Sequence, residues 1–207
     1  MERFARVEGV AAPLDRPNVD TDQIIPKQFL KRIERSGYGP CLFFDWRYLG
    51  DGVTENPAFE LNREPWRHAP ILLAGRNFGC GSSREHAVWA LQDYGVRAVI
   101  AASFGDIFAN NALRVGVLPV RLAEAVVERW MDAAREAPGL RAVVDLEAGL
   151  VEFAGERLPI EIDAESRRRL LGGLDEIAIA LEHEAAIAAH EARRSAWLPT
   201  STALLTR

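Results

Sequence analysis

Three short apolar runs in the middle of the chain limit its fold most: "PILLAG" from Pro70, "RAVIAAS" from Arg97 and "VLPVRL" from Val117. Each is continuous rather than alternating, which is the pattern of strands covered on both faces. Between them lie two stretches of helical pattern, Ser83 to Tyr94, ended by Gly95, and "GDIFANNALRVG". Strands that alternate with helices imply parallel βαβ units. An amphipathic helix follows, "AEAVVERWMDAAREAP", with Val126, Trp130 and Ala133 on one face and Pro138-Gly139 as its stop. "RAVVDLEAGLVEFAGERLPIEI" then predicts antiparallel ribbons turning at Gly149 and Gly155, and Asp163 to about Trp197 is helical in pattern.

The N-terminal third is less regular. "FARVEGV" predicts a first strand, and the polar stretch Pro13–Pro26 a loop. "QFLKRIER" has a short helical pattern stopped by "SGYGP", and "CLFFDW" suits a strand or a helix. Residues 50–69 are rich in turn formers and predict a long loop, either functional or clamped by a partner.

With 207 residues, the chain is long enough for one domain with a sizeable core. We expect a single domain over 1–207: a core over about 1–162, a helical extension over about 163–197 and a loose end at 198–207. No apolar run approaches the roughly 20 residues of a membrane span, and "MERFARVEGV" lacks the apolar centre of a signal peptide. The expectation is a cytoplasmic protein with no membrane role. A net charge of −5 argues against nucleic acid as a partner, and Arg167-Arg168-Arg169 suits a solvated helix face. Cys41 and Cys80 are far apart, and His68, His86, His183 and His190 show no metal-ligand spacing. No metal site is expected on this chain.

"GRNFGCGSSREHA", Gly75–Ala87, follows a predicted strand and opens a helix. Open α/β sheets bind ligands at that position, beyond the carboxyl ends of the strands. The spacing fits neither a phosphate loop, since no lysine follows, nor a dinucleotide fingerprint, nor a serine-nucleophile elbow. Ser82 with Glu85 three residues on has capping-box spacing. The same geometry suits an anion: free N–H groups, the positive end of a helix dipole and the fork of Arg84. A serine in that field is a candidate base.

Two further stretches, "NVDTDQIIP" from Asn18 and "FGDIFANNALRVGVLP" from Phe104, join "NFGCGSSREHAVWAL" in a resemblance. Together they resemble the small subunits of 3-isopropylmalate dehydratases, in the aconitase superfamily, and the resemblance runs over nearly the whole chain. It implies an α/β fold of the swivelling β/β/α three-layer type, like the C-terminal domain of aconitase. It implies a hydro-lyase that moves the hydroxyl of 2-isopropylmalate by loss and regain of water, in leucine biosynthesis. The [4Fe–4S] cluster is then expected on a separate large subunit, the partner of this chain, with a dicarboxylate as substrate. Residue by residue, Ser82 matches the catalytic base and Asp22 a catalytic acidic residue. Ser83, Arg84 and Thr21 match substrate contacts, and Lys31 and Arg32 lie where the family reads the substrate's side group. Cys80 is expected to be a small buried residue. Two departures are Val88, where proline is expected, and Gly105, where alanine is usual; neither removes a functional group. A related homoaconitase or methylmalate dehydratase subunit, or a stand-alone carboxylate-binding module, remains open.

Overall fold

A computed structural model describes residues 1–31 and 34–194. Arg32, the helical pattern beyond residue 194 and the loose end at 198–207 lie outside the described residues.

Three parallel and three antiparallel pairings join seven strands in the order β4-β3-β2-β1-β5-β6-β7, with β1 shared by the two halves. β1 (Arg6–Leu14) lies in the middle. Its first half pairs antiparallel with β5 (Arg141–Asp145), ending at Val10 against Arg141. Its second half, from Ala11 opposite Ile71, pairs parallel with β2 (Ile71–Ala74). β3 (Ala98–Ala101) and β4 (Leu118–Arg121) extend the parallel half. β6 (Leu150–Phe153) and β7 (Glu156–Pro159) extend the antiparallel half, turning at Gly149 and Gly155 as expected. The strand expected to stop at Val10 therefore continues through Pro13 to Leu14. Proline is tolerated there because β5 no longer pairs along that edge.

The apolar runs behave as their continuity requires. Every residue of β2 and β3 is buried. Ala12, Leu14, Leu72, Ala74, Val99 and Ala101 face one core, packed with α3 (Glu85–Tyr94) and α4 (Asp106–Val115). Ala11, Ile71, Leu73, Ala98 and Ile100 face a second core, with α5 (Glu124–Glu136) and Ala142, Val144, Val151 and Phe153 of the antiparallel half. That half alternates, and its other face carries the exchanged charges of Arg6, Glu8 and Arg141. The buried stripe of α5 is Val127, Trp130, Met131 and Ala134. Val126 and Ala133, expected to lead that face, are its half-buried margin.

The long loop is clamped from within its own chain. Arg47, 5% exposed, donates from Nε to Asn62 Oδ1 (3.3 Å) and from a terminal nitrogen to the Gly39 carbonyl (3.1 Å). Asn62 returns its amide to the Arg47 carbonyl (2.6 Å), and the Tyr94 hydroxyl donates to the Leu61 carbonyl (2.9 Å). "CLFFDW" resolves into a one-turn helix, α2 (Phe44–Arg47), which delivers Arg47 to this cluster.

Within the helical pattern expected from residue 28 to 35, the described residues form a 3-10 turn at Lys27–Phe29 with no buried residue; Arg32 and Ile33 lie outside the described residues. A segment that short gains too little without an apolar face to bury. The C-terminal helical stretch is broken. α6 (Ala164–Gly172) ends at a left-handed Gly173 and belongs to the compact unit Met1–Gly173, anchored by Leu170 and by Phe4 N–H donating to the Leu170 carbonyl. A second unit begins at Leu174 and carries α7 (Glu176–Leu181), capped by Asp175, and α8 (Glu184–Glu191), neither with a buried residue. No helix among the described residues is long and apolar enough to cross a membrane.

Trp130, 1% exposed, joins α5 to Phe153 of the antiparallel half at 5.5 Å between ring centroids. Trp130→Ala is expected to cost about 3–5 kcal/mol of folding stability. Urea unfolding of the purified chain measures it.

Candidate active site

The loops that leave β1, β2 and β3 do not diverge; they go on pairing. Asn18 N–H donates to the Arg76 carbonyl (2.8 Å) and Gly79 N–H to the Val19 carbonyl (2.7 Å). Asp20 bridges to Cys80 in parallel, and Phe78 to Phe104. Phe78 N–H donates to the Ser103 carbonyl (3.0 Å), and Gly105 N–H returns to the Phe78 carbonyl (2.9 Å). The glycine loop is thus the middle of three extended loops, held on both edges. Side chains add to this: Asn77 Nδ2 donates to Asn18 Oδ1, and Asn77 N–H to the Ser103 hydroxyl, both at 2.9 Å. Asn18, Asn77 and Ser103 were not singled out from the sequence. The left-handed backbone at Asn18 and Asn77, which asparagine tolerates, was the available signal.

Gly79 shows why the loop is glycine-rich. Its φ is +73°, and an added Cβ would lie 2.1 Å from the Phe108 ring. The chain passes over α4 with no room for a side chain.

The polar stretch before it forms a one-turn helix, α1 (Thr21–Ile24). Asp20 caps it and Gln23 returns its amide oxygen to the Asp20 N–H, a complete capping box. The box expected at Ser82 and Glu85 is therefore absent. Helix α3 starts at Glu85 after an extended Arg84, with no side-chain cap. The reason is local: the Ser82 carbonyl accepts the Thr21 hydroxyl (3.0 Å), and Thr21 N–H donates to the Cys80 carbonyl (3.0 Å). The chain is held extended past the point where the helix would otherwise begin.

Five of the expected site residues come together here. Ser82 and Ser83 are exposed, and neither hydroxyl has a partner among the described residues. The guanidinium of Arg84 forms an ion pair with the Asp22 carboxylate. Thr21 is buried beneath them at 2% exposure. Lys31 is exposed on the segment after the 3-10 turn, with no contact to these five among the described residues. The uncapped start of α3 leaves N–H groups beside Arg84, an arrangement that favours a carboxylate.

Cys80 is half-buried rather than buried, and its thiol donates to the Asn18 carbonyl at 3.5 Å. Burial and the neighbouring Asp20 charge push that thiol above its ordinary range, away from the thiolate that a metal or an electrophile needs. Among the described residues no three His, Cys, Asp or Glu side chains are grouped to hold a metal ion, so these residues do not fit an iron–sulfur cluster. His86, on the first turn of α3, packs against Tyr38 and Trp89 at 5.4 and 4.7 Å between ring centroids. Burial lowers its pKa, and Arg84 adds to this against the opposing pull of Glu85.

The first 125 residues match the aconitase C-terminal domain family. The chain is 56% identical over 195 residues to a 3-isopropylmalate dehydratase small subunit from Rhodopirellula baltica, covering 94% of this chain and all of that one. It is 52% identical to the corresponding protein of Shouchella clausii, over 95% of this chain and 98% of that one. Among solved structures, 3-isopropylmalate dehydratase from Methanocaldococcus jannaschii superposes with a TM-score of 0.62 at 25% identity, over 89% of this chain and 99% of that one.

Two outcomes are expected from this geometry. Gly79→Ala should cost at least about 1–2 kcal/mol for the left-handed backbone alone, with displacement of Phe108 added, and a lowered thermal midpoint reports it. His86 is lowered in the fold, so the stability gained by keeping it neutral is fully present above about pH 6.5. That gain is lost as pH falls through the lower folded value. The difference in thermal midpoint between the wild type and His86→Gln should shrink from pH 7 to pH 5.

Proposed function

The chain belongs to the family of 3-isopropylmalate dehydratase small subunits, and on that premise we propose how its residues serve the reaction. It is the small subunit of a hydro-lyase of leucine biosynthesis, and it acts in a heteromeric complex with a large subunit. The reaction is reversible: 2-isopropylmalate loses water to give 2-isopropylmaleate, which regains it as 3-isopropylmalate. The complex works in the cytoplasm.

Arg84 binds a substrate carboxylate with its fork, and Ser83 donates a hydrogen bond to it. Asp22 holds the guanidinium from the side, so the arginine is already aimed when substrate arrives. The Ser82 oxygen removes the proton from the carbon next to that carboxylate. Negative charge then grows on the carboxylate, where Arg84 and the start of α3 stabilise it. The same positive field lowers the cost of ionising the serine hydroxyl. By the family resemblance we assign Lys31 and Arg32 to reading the substrate's variable side group. The [4Fe–4S] cluster belongs to the large subunit on this reading, where it supplies a Lewis acid for the departing hydroxyl.

The observation that carries this reading is the meeting of Asp22 with Arg84 beside two unpartnered serines at the carboxyl end of the parallel sheet. These residues come from loops that are 62 positions apart in the chain. In the reconstituted complex, Ser82→Ala should lower kcat by about 10²–10⁴-fold, the usual contribution of a positioned base, while association with the large subunit persists. Turnover near the wild-type rate in that variant would remove Ser82 from the role of base.

A further inference from the structure

We propose that Thr21 is a positioning residue for Ser82, acting through the main chain rather than through substrate. The inference rests on Ser82 as the base. Thr21 is 2% exposed, so its hydroxyl does not reach the open face where Ser82 and Ser83 lie. That hydroxyl donates to the Ser82 carbonyl at 3.0 Å, while Thr21 N–H donates to the Cys80 carbonyl at 3.0 Å. One residue therefore grips the loop on both sides of Gly81, which has φ +90°. Gly81, with the conformational freedom of a glycine, directly precedes the base.

The consequence for Ser82 follows from peptide geometry. A trans peptide directs its carbonyl and the next N–H to opposite sides. With the Ser82 carbonyl turned inward to Thr21, the Ser83 N–H is turned outward. It has no partner among the described residues. The hydroxyl of Thr21 thus fixes the plane from which the Ser82 side chain projects, and fixes an outward donor beside it. Thr21 is itself anchored. It occupies the first position of α1, behind the Asp20–Gln23 capping box, and its carbonyl accepts the Ile25 N–H at 3.0 Å. Asp22, the next residue, holds Arg84. One turn of helix thereby sets both the base and the guanidinium.

The test is steady-state kinetics of the reconstituted complex with Thr21→Val, Thr21→Ser and Thr21→Cys. Valine keeps the shape and removes the donor, serine keeps the donor, and cysteine keeps the size with a weaker one. Misplacing a reacting group by about 1 Å costs on the order of 100-fold. Thr21→Val should lose kcat on that scale with KM changed by less than about threefold. Thr21→Ser should return most of kcat, and Thr21→Cys should fall between them. The ranking of serine over cysteine keeps the test decisive if Thr21→Val does not fold.

A loss that appears in KM alone overturns the proposal and makes Thr21 a substrate contact. Equal kcat for the folded variants and the wild type also overturns it. Ser82→Ala, assayed in parallel, separates the two readings. If Ser82→Ala is inactive and Thr21→Val is fully active, only the positioning role fails. If Ser82→Ala is active, the base itself is misassigned.

Discussion

Strand β1 is the constraint on which the rest of the structure depends. It is shared end to end between two kinds of sheet: residues 6–10 belong to the antiparallel half and residues 11–14 to the parallel half. The change of partner falls between Val10 and Ala11, just after Gly9. An added Cβ at Gly9 would lie 2.3 Å from the Pro70 ring, so the strand is bare where the chain entering β2 crosses it. Because β1 also leads into the Asn18–Ile24 segment, its register against β2 decides where α1 lies relative to the glycine loop. A one-residue slip would invert every side chain of β1 between the two cores. It would also part Thr21 and Asp22 from Ser82 and Arg84. Core packing and site geometry are enforced by the same pairing.

Charge at the site is handled economically. An arginine at the start of a helix meets the positive end of the dipole and is unfavourable unless an anion is near. Asp22 supplies that anion within the chain. The carboxylate is about half exposed and the guanidinium one-fifth exposed. A pair so open to water contributes little stability, and its effect is to orient the guanidinium. Burial disfavours the charged form of His86, which works against a second positive charge beside Arg84.

The regular part of the fold was legible because continuity and alternation of apolar residues report burial directly. β2, β3 and the β5–β7 ribbon follow that rule residue by residue. β1 was cut short because Pro13 reads as a breaker, and nothing local says that its far edge is unpaired. Ser82–Glu85 and Asp20–Gln23 both have capping-box spacing, and only the second forms a box. Ser82 is drawn away from the start of α3 by the Thr21–Ser82 bond, a contact across 61 positions. The inner clamp of Arg47 and Asn62 was invisible for the same reason: a buried arginine satisfied by an amide and a carbonyl leaves no periodic trace.

Ser82 and Ser83 lie on an open surface, yet the backbone that carries them is fixed from below and from both sides. Loop residues at a surface usually gain order only when a ligand or partner covers them, and that ordering weakens binding. Here the order is imposed when the three loops pair during folding. Gly79 has no room for a side chain, Asn77 is tied to two neighbours and Thr21 holds the joint at Gly81. The backbone that carries the two serines is thus ordered by the chain's own pairing.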